Sequence, residues 1–254
     1  MEFLVPGTPE QVWHAMATGP GMAAWFTRAT IDEFVGGKVT FHFGDEATTS
    51  GPVTAWEPPV RFAYEEVNWS GEAPPVATEV VVTSRSGDEC VVRMVHSLFT
   101  ERDDWDGELE SFEKGWPGFF AVLRVYLRHF ADRPAAVAGA MRSHDVDGLV
   151  AWRNLVEALN LAGADVGEHR TAPPDTPALG GEVELAHQDR ENRYVMLRLD
   201  EPADGIAFIG THCTPGAAMA NASLFFYGDD AAEVAAEQQR AWRAWLHGLR
   251  MLTT

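Results

Sequence analysis

One strand-like segment of the sequence places a histidine among apolar side chains. In Cys90–Leu98, the residues Val92, Met94 and His96 occupy alternate positions, and alternate side chains of a strand share a face. His96 should therefore point toward the interior. An inward imidazole could orient the carbonyl or hydroxyl group of a ligand, or act as an acid or base, since its unperturbed pKa lies near neutrality. The structural alternative is a core histidine bonded to a backbone carbonyl.

Aromatic side chains recur at strand and helix spacing and could form a box for a planar ligand. The members of this candidate box are Trp25, Phe41, Phe43, Trp116, Phe119 and Phe120. Trp69 lies in the polar segment 68–71 and is a candidate lid residue. Together with Met94 and His96, these residues form the predicted ligand-binding set. The alternative is that the aromatic residues are ordinary core and that Trp69 covers its own strand.

Other side chains that could take part in catalysis or metal binding lack partners at a suitable spacing in the sequence. Glu65 and Glu66 are adjacent, and adjacent residues of a strand face opposite ways, so they do not form a catalytic pair. His42 and His96 have no third ligand spaced to complete a metal site. No Asp, Ser or Cys is placed by a motif to make a catalytic set with His96. We therefore predict no catalytic residue, no metal site and no cofactor.

The composition indicates an acidic globular protein. The 254 residues are 46% hydrophobic, and the formal net charge at pH 7 is −19. An acidic surface repels phosphate backbones, so we predict no nucleic-acid partner. No apolar segment approaches the roughly 20 residues that span a bilayer, and no signal peptide is visible. We expect a cytoplasmic protein whose two cysteines, Cys90 and Cys213, are reduced and buried.

The first half of the chain predicts a run of strands between two helical regions. Thr8 and Pro9 open a first helix. Segments such as Lys38–Phe43 alternate as strands, and consecutive strands without helices between them indicate an antiparallel sheet. A long amphipathic helix follows from about Leu109 to Phe130. Pro117 lies inside this pattern and should kink the helix or mark its restart.

The second half repeats this order in a weaker form. We interpret Ala135–Met141 as a connector that could be helical. A helix from about Asp147 to Leu161, four strand candidates and a final helix from about Ala231 to Leu252 follow. We infer a shortened, diverged second copy of the first half. The alternative is a small α+β appendage that ends in a helix.

A series of short motifs in residues 5–130 resembles a known superfamily. In chain order they are Val5–Pro6, Glu10, Val12–Trp13, Trp25–Phe26, Gly36–Gly37, Gly51, Glu57–Pro59, Arg61, His96, Gly115–Trp116, Leu123 and Tyr126–Leu127. Their order and spacing resemble the START-like (SRPBCC) superfamily, and within it the AHSA-type proteins related to the activator of the heat-shock chaperone ATPase. The resemblance covers about half of the chain.

The resemblance implies an α+β helix-grip fold, in which a curved antiparallel sheet wraps around a long C-terminal helix and encloses a cavity for an apolar small molecule. We predict such a domain at 1–133 and a degenerate helix-grip-like copy at 145–254. The superfamily has no universal catalytic residue, so none is carried over. We therefore expect binding or carriage of an apolar small molecule without catalysis.

Two alternative functions and a homodimeric assembly are also compatible with the sequence. The first alternative is a co-chaperone-like interaction module that binds a chaperone. The second is a polyketide cyclase- or aromatase-like enzyme, in which His96 and cavity groups position the substrate. An exposed sheet edge in a shortened second copy would also allow two chains to pair as a homodimer.

Overall fold

The computed structural model describes residues 1–43, 47–67, 69, 73–98, 105–190, 192–214 and 217–252. The chain divides into two units, Met1–Asp132 and Arg133–Thr254. Each unit has its own antiparallel sheet, and a helix follows the last strand of each sheet. Both units therefore have the same arrangement, an antiparallel sheet followed by a helix.

The sheet of the first unit is antiparallel and seven-stranded. Its strands are β1 (Glu2–Pro6), β2 (Arg28–Ile31), β3 (Lys38–Phe43), β4 (Ala47–Glu57), β5 (Arg61–Glu66), β6 (Val76–Arg85) and β7 (Glu89–Leu98). Their order in the sheet is β1-β7-β6-β5-β4-β3-β2, so the first strand pairs with the last and the others follow as a meander. Connections without helices place successive antiparallel strands side by side.

In the described part of the first unit, four helices accompany this sheet. They are α1 (Pro9–Ala17), α2 (Gly19–Ala23), α3 (Asp106–Lys114) and α4 (Trp116–His129). Thr8 and Gln11 cap α1 reciprocally, because each side chain accepts a hydrogen bond from the backbone N–H of the other residue. Gly115 separates α3 from α4, and Pro117 lies in the first turn of α4, where a helix tolerates proline. Of the two outcomes predicted for Pro117, a kink or a restart of the helix, the structure has the restart.

Helix α4 buries one face against the sheet. Phe120, Leu123 and Leu127 are buried, and the ring of Phe120 stacks on Phe3 of β1 with a centroid distance of 3.8 Å. The alternate, inward-facing positions of the strands supply the other side of this core. Burying one large apolar side chain contributes about 1.5–3 kcal/mol relative to leaving it exposed. The predicted α+β helix-grip fold is confirmed.

The second unit repeats the order of the first with a six-stranded sheet. Its strands are β8 (Ala135–His144), β9 (His169–Thr171), β10 (Gly180–Gln188), β11 (Asn192–Glu201), β12 (Gly205–Thr214) and β13 (Ala217–Tyr227), and its helices are α5 (Gly148–Ala158) and α6 (Ala231–Gly248). The sheet order is β8-β13-β12-β11-β10-β9, so the first strand again pairs with the last. The unit is a shortened copy of the first in its topology.

The alanine-rich stretch Ala135–Met141 is not a connector, and the prediction for it was wrong. It lies in β8, where Ala140 pairs with Ala222 of β13. Ala138 and Ala140 are buried in the same core as Trp242 of α6. Alanine has a high helix propensity, but pairing and burial in the tertiary structure override it. The unit therefore includes residues 133–144, which lie outside the predicted domain 145–254.

The two cysteines differ in their surroundings. Cys90 is buried and Cys213 is exposed, so the prediction that both thiols are buried is wrong for Cys213. Cys213 lies one residue before the end of β12, which spans Gly205–Thr214. Among the described residues, no helix is long and apolar enough to cross a membrane.

Candidate ligand cavity of the first unit

A cavity of about 490 Å³ opens in the first unit where β3, β4 and β5 approach the start of α4. Its lining combines aromatic, small and polar side chains. The lining residues are Phe26, Phe43, Ala47, Thr48, Thr49, Glu66, Trp69, Gly115, Trp116 and Phe119. Half of them are aromatic, which gives the cavity a mainly apolar wall with a few polar groups, the usual make-up of a small-molecule site.

Phe26 is the centre of the aromatic wall. Its ring stacks on Trp116 with a centroid distance of 5.0 Å, and meets Phe119 edge-on at 4.9 Å and Phe43 edge-on at 5.8 Å. Trp116 and Phe119 are three residues apart on α4, so they lie on one face of the helix. Offset-stacked and edge-to-face pairs add about 0.5–1.5 kcal/mol beyond area burial. The wall is therefore held in place before any ligand binds.

Trp69 lines the same cavity from the connection between β5 and β6. Its indole N–H donates a hydrogen bond of 2.8 Å to the backbone carbonyl of Pro74. The indole is therefore fixed at one edge and presents the rest of its ring to the cavity. Its predicted role as a lid residue stays a prediction.

Glu66 is the titratable group among the lining residues. It continues the inward-facing series Phe62, Tyr64 and Glu66 along β5, and only 3% of it is exposed. The hydroxyl group of Thr49 on β4 donates a hydrogen bond of 2.5 Å to its Oε1. Burial raises the pKa of the Glu66 carboxyl above its ordinary value of 4.5, and the hydrogen bond from Thr49 opposes this shift.

Gly51 allows the two strands that carry this pair to come close together. A Cβ atom at this position would lie 2.1 Å from the carbonyl oxygen of Glu65. Any other residue would therefore force β4 and β5 apart beside Glu66. The nearby bridge between Ser50 and Val67 continues the pairing past the end of β5. The glycine thus fixes the position from which Thr49 reaches Glu66.

A row of inward polar side chains crosses the sheet behind the cavity. Tyr64 of β5 lies opposite Thr78 of β6, and Thr78 lies opposite His96 of β7. All three are buried. Burial and the nearby charge of Glu66 raise the pKa of Tyr64 well above its ordinary value. The Thr78 hydroxyl lies close enough to lower that pKa, but it has no hydrogen bond of good geometry among the described residues.

His96 is buried behind the aromatic wall and does not line the cavity. Its ring stacks on Trp116, a residue of the wall, with a centroid distance of 5.7 Å. Its Nδ1 lies 3.3 Å from Oε1 of Glu113 on α3. Burial lowers the pKa of His96, whereas Glu113 acts in the opposite direction. His96 therefore supports the wall and joins β7 to α3.

The family of the first unit follows from a comparison with family models. Residues 6–128 match the model described as "Activator of Hsp90 ATPase homolog 1-like protein" (AHSA1). The first unit is an AHSA1-type domain. This match ends at residue 128, close to the end of the first unit at Asp132.

Three solved structures are similar to the chain. BexL, the di-domain ARO/CYC from the BE-7585A biosynthetic pathway, is 12% identical with a TM-score of 0.46 over 100% of this chain and 98% of its own. DynU16, from the dynemicin biosynthetic locus, is 17% identical with a TM-score of 0.44 over 98% and 95%. The Aha1 dimer from Colwellia psychrerythraea is 20% identical with a TM-score of 0.40 over 51% and 94%.

Identities of 12–20% with TM-scores of 0.40–0.46 are too low to assign any property of these three proteins to this chain. No curated protein sequence matches it. The chemistry of the AHSA1-type domain therefore has to be argued from its own cavity.

The predicted site residues fall into two groups in the AHSA1-type domain. Those at the cavity wall are Phe43, Trp69, Trp116 and Phe119. Those buried in the surrounding core are Trp25, Phe41, Met94, His96 and Phe120. The spacing of aromatic residues predicted which side chains face inward, but it could not separate the wall from the layer behind it.

Three important wall residues were missing from the predicted set: Phe26, Thr49 and Glu66. For Glu66, the sequence does contain a signal. It stands two residues after Tyr64 and four after Phe62, in the buried phase of the strand. The prediction that Glu65 and Glu66 face opposite ways agrees with their burial, since Glu66 is buried and Glu65 is half-buried.

Candidate metal ligands in the structure do not converge within the residues that it describes. Among the residues that it describes, no three His, Cys, Asp or Glu side chains lie close enough together to hold one. A second pocket of about 530 Å³ lies in the second unit beside α5 and α6, and Trp245 is its one aromatic lining residue among those described. The aromatic cavity of the AHSA1-type domain is therefore the stronger candidate site.

Proposed function

We propose that the AHSA1-type domain binds an apolar small molecule in its aromatic cavity. The observation that carries this proposal is the wall formed by Phe26, Phe43, Trp69, Trp116 and Phe119 around about 490 Å³ of space. Ligand sites of small molecules measure roughly 300–1,000 Å³ and are lined mainly by apolar and aromatic groups. The cavity meets both criteria.

The wall favours a ligand with a flat apolar part. Edge-on contacts hold Phe43 and Phe119 roughly perpendicular to Phe26, with interplanar angles of 78° and 90°. Rings at right angles leave a corner in which a planar group can stack on one ring and meet the edge of another. A flexible aliphatic chain would use less of this geometry.

A neutral, apolar fluorescent probe, N-phenyl-1-naphthylamine, tests the proposal. Its fluorescence rises on binding to apolar sites, so a saturable increase is expected with the full chain. Phe43→Ala is expected to weaken probe binding about three- to tenfold, the usual effect of losing about 1 kcal/mol of ring contact. Phe43 is 37% exposed, so its removal should cost little stability.

Phe34→Ala is the matched control. Phe34 is 59% exposed and does not line the cavity, so this variant should bind the probe like the original protein. No saturable binding, or equal loss in both variants, would show that the cavity is not a ligand site. Native mass spectrometry of the purified protein against its denatured mass would reveal any retained ligand.

Two alternatives receive less support. A cyclase- or aromatase-like reaction with His96 as acid or base lacks access, because the His96 side chain is fully buried and is not among the residues that line the cavity. The co-chaperone alternative rests on the family model alone. Recovery of a chaperone from lysate by the full chain, at a stoichiometry unaffected by Phe43→Ala, would favour it over ligand binding.

A further inference from the structure

The aromatic cavity contains an acidic side chain. Glu66 is one of the lining residues, and none of the lining residues that the structure describes is Lys or Arg. Among the described residues, the bond from Thr49 is the one hydrogen bond that Glu66 receives. A carboxylate has about four acceptor positions, so most of its capacity is unused. The unused acceptor positions of Glu66 determine which ligand the cavity can accept.

The buried carboxylate disfavours two classes of ligand. A neutral hydrocarbon that displaced water from the cavity would leave the Glu66 carboxyl buried with the bond from Thr49, either charged or after taking up a proton, and both states cost free energy. An anion would be repelled by Glu66 and by a chain whose formal net charge is −19. A cation is attracted by both.

The aromatic wall adds a second group that attracts a cation, beside the carboxyl group of Glu66. The faces of Trp and Phe rings attract ammonium groups through the ring quadrupole, and a ring set around a cation is a recurrent solution for binding amines. Five such rings line the same cavity as Glu66. Trp69 and Trp116 belong to the residue type with the strongest attraction.

We propose that the ligand of this cavity is a hydrophobic amine, whose ammonium group lies beside the Glu66 carboxylate and whose apolar part contacts Phe26, Trp116 and Phe119. This inference rests on the proposed ligand-binding function and narrows its substrate class. Thr49 holds one carboxylate oxygen and leaves the other for the ligand. The ammonium group replaces the water that the cavity loses on binding.

Three compounds with one skeleton test the charge of the ligand. They are 2-naphthylmethylamine, 2-naphthylmethanol and 2-naphthoic acid, which are cationic, neutral and anionic at pH 7. Isothermal titration calorimetry with the full chain should show the amine binding at least about tenfold more tightly than the alcohol. A tenfold ratio corresponds to about 1.4 kcal/mol. The acid should bind most weakly.

Glu66→Gln tests the residue. The amide keeps the size of the side chain and can still accept the hydrogen bond from Thr49, so the fold is retained. The preference for the amine over the alcohol should fall to about threefold or less. Glu65→Gln removes the same charge at the neighbouring, half-buried position outside the cavity lining. This control should keep the preference of the original protein.

The outcomes separate the two proposals. If the alcohol binds as tightly as the amine, or if Glu66→Gln leaves the preference unchanged, the amine assignment is wrong and the ligand is a neutral apolar molecule. If the three compounds fail to bind while N-phenyl-1-naphthylamine binds, the amine assignment also fails, and ligand binding survives. If no probe binds, both proposals fall.

Discussion

Glu66 shows how a single residue sets the chemistry of the cavity. Its carboxyl group is buried at the end of β5, it faces the aromatic wall, and it receives one hydrogen bond, from Thr49. Buried carboxylates with perturbed pKa values cluster at functional sites. Burying the Glu66 carboxyl costs free energy of folding. We therefore infer that this residue serves binding and not stability.

The first prediction is that Glu66→Gln stabilises the protein at neutral pH. Burial raises the pKa of Glu66, so the folded state takes up a proton at higher pH than the unfolded chain does. The unfavourable contribution of Glu66 is therefore fully present above the raised pKa, and it disappears as the pH falls from there through about 4.5. We expect Glu66→Gln to raise the free energy of unfolding by about 1 kcal/mol at pH 7.

Urea unfolding at pH 7 and at pH 4 measures this effect, with Glu65→Gln as the reference for removing one charge from an acidic chain. The gain of Glu66→Gln over Glu65→Gln should shrink at the lower pH. A gain that is equal at both pH values would show that Glu66 carries no raised pKa. A loss of stability at pH 7 would show that its carboxylate is well satisfied in the fold.

Among the secondary-structure elements, helix α4 contributes to both the cavity wall and the hydrophobic core, with different faces. Phe119 lines the cavity, whereas Phe120 is completely buried and stacks on Phe3 of β1. Consecutive residues of a helix point about 100° apart. The same helix therefore closes the hydrophobic core with one face and presents the ligand surface with another.

The second prediction uses these neighbours as a matched pair. Phe119→Leu should weaken binding of the naphthyl probe about three- to tenfold, because a wall ring is lost. Phe120→Leu should lower the free energy of unfolding by about 1–2 kcal/mol, because the core loses a stacked ring, and should leave binding within about twofold. Thermal unfolding and probe titration measure both effects. Equal effects of the two substitutions would contradict the assigned orientation of α4.

At the scale of the whole molecule, each unit has a complete core. The second unit buries Trp152, Leu197, Phe226 and Trp242 in one cluster of its own residues. In the first unit, α4 and the seven-stranded sheet enclose another. A segment that contains its whole sheet and closing helix has the contacts that it needs to fold.

The third prediction is that residues 1–132 fold without the rest of the chain. The fragment should show cooperative thermal unfolding and bind N-phenyl-1-naphthylamine within about threefold of the full chain, since every lining residue of the aromatic cavity lies before residue 120. Circular dichroism and probe titration are the measurements. A fragment that is unfolded, or that has lost the probe, would show that the second unit completes the first.

Local patterns were sufficient for much of the fold. Alternation along β7 placed Val92, Met94 and His96 on the inward face, and their burial agrees. The restart of the long helix at Pro117 follows from the chemistry of proline, which has no backbone N–H to donate. These features depend on residues close together in the sequence, so the sequence predicts them without knowledge of the partners.

Residue spacing was enough to predict the periodicity of the strands and helices and the AHSA-type resemblance. Contacts in the folded protein were needed to show that Ala135–Met141 pairs as a strand, that His96 is not among the described cavity-lining residues, and that Thr49 binds Glu66 where Gly51 lets two strands approach. These outcomes depend on contacts between segments far apart in the chain. Periodicity predicts which face is buried, but packing determines which atoms meet there.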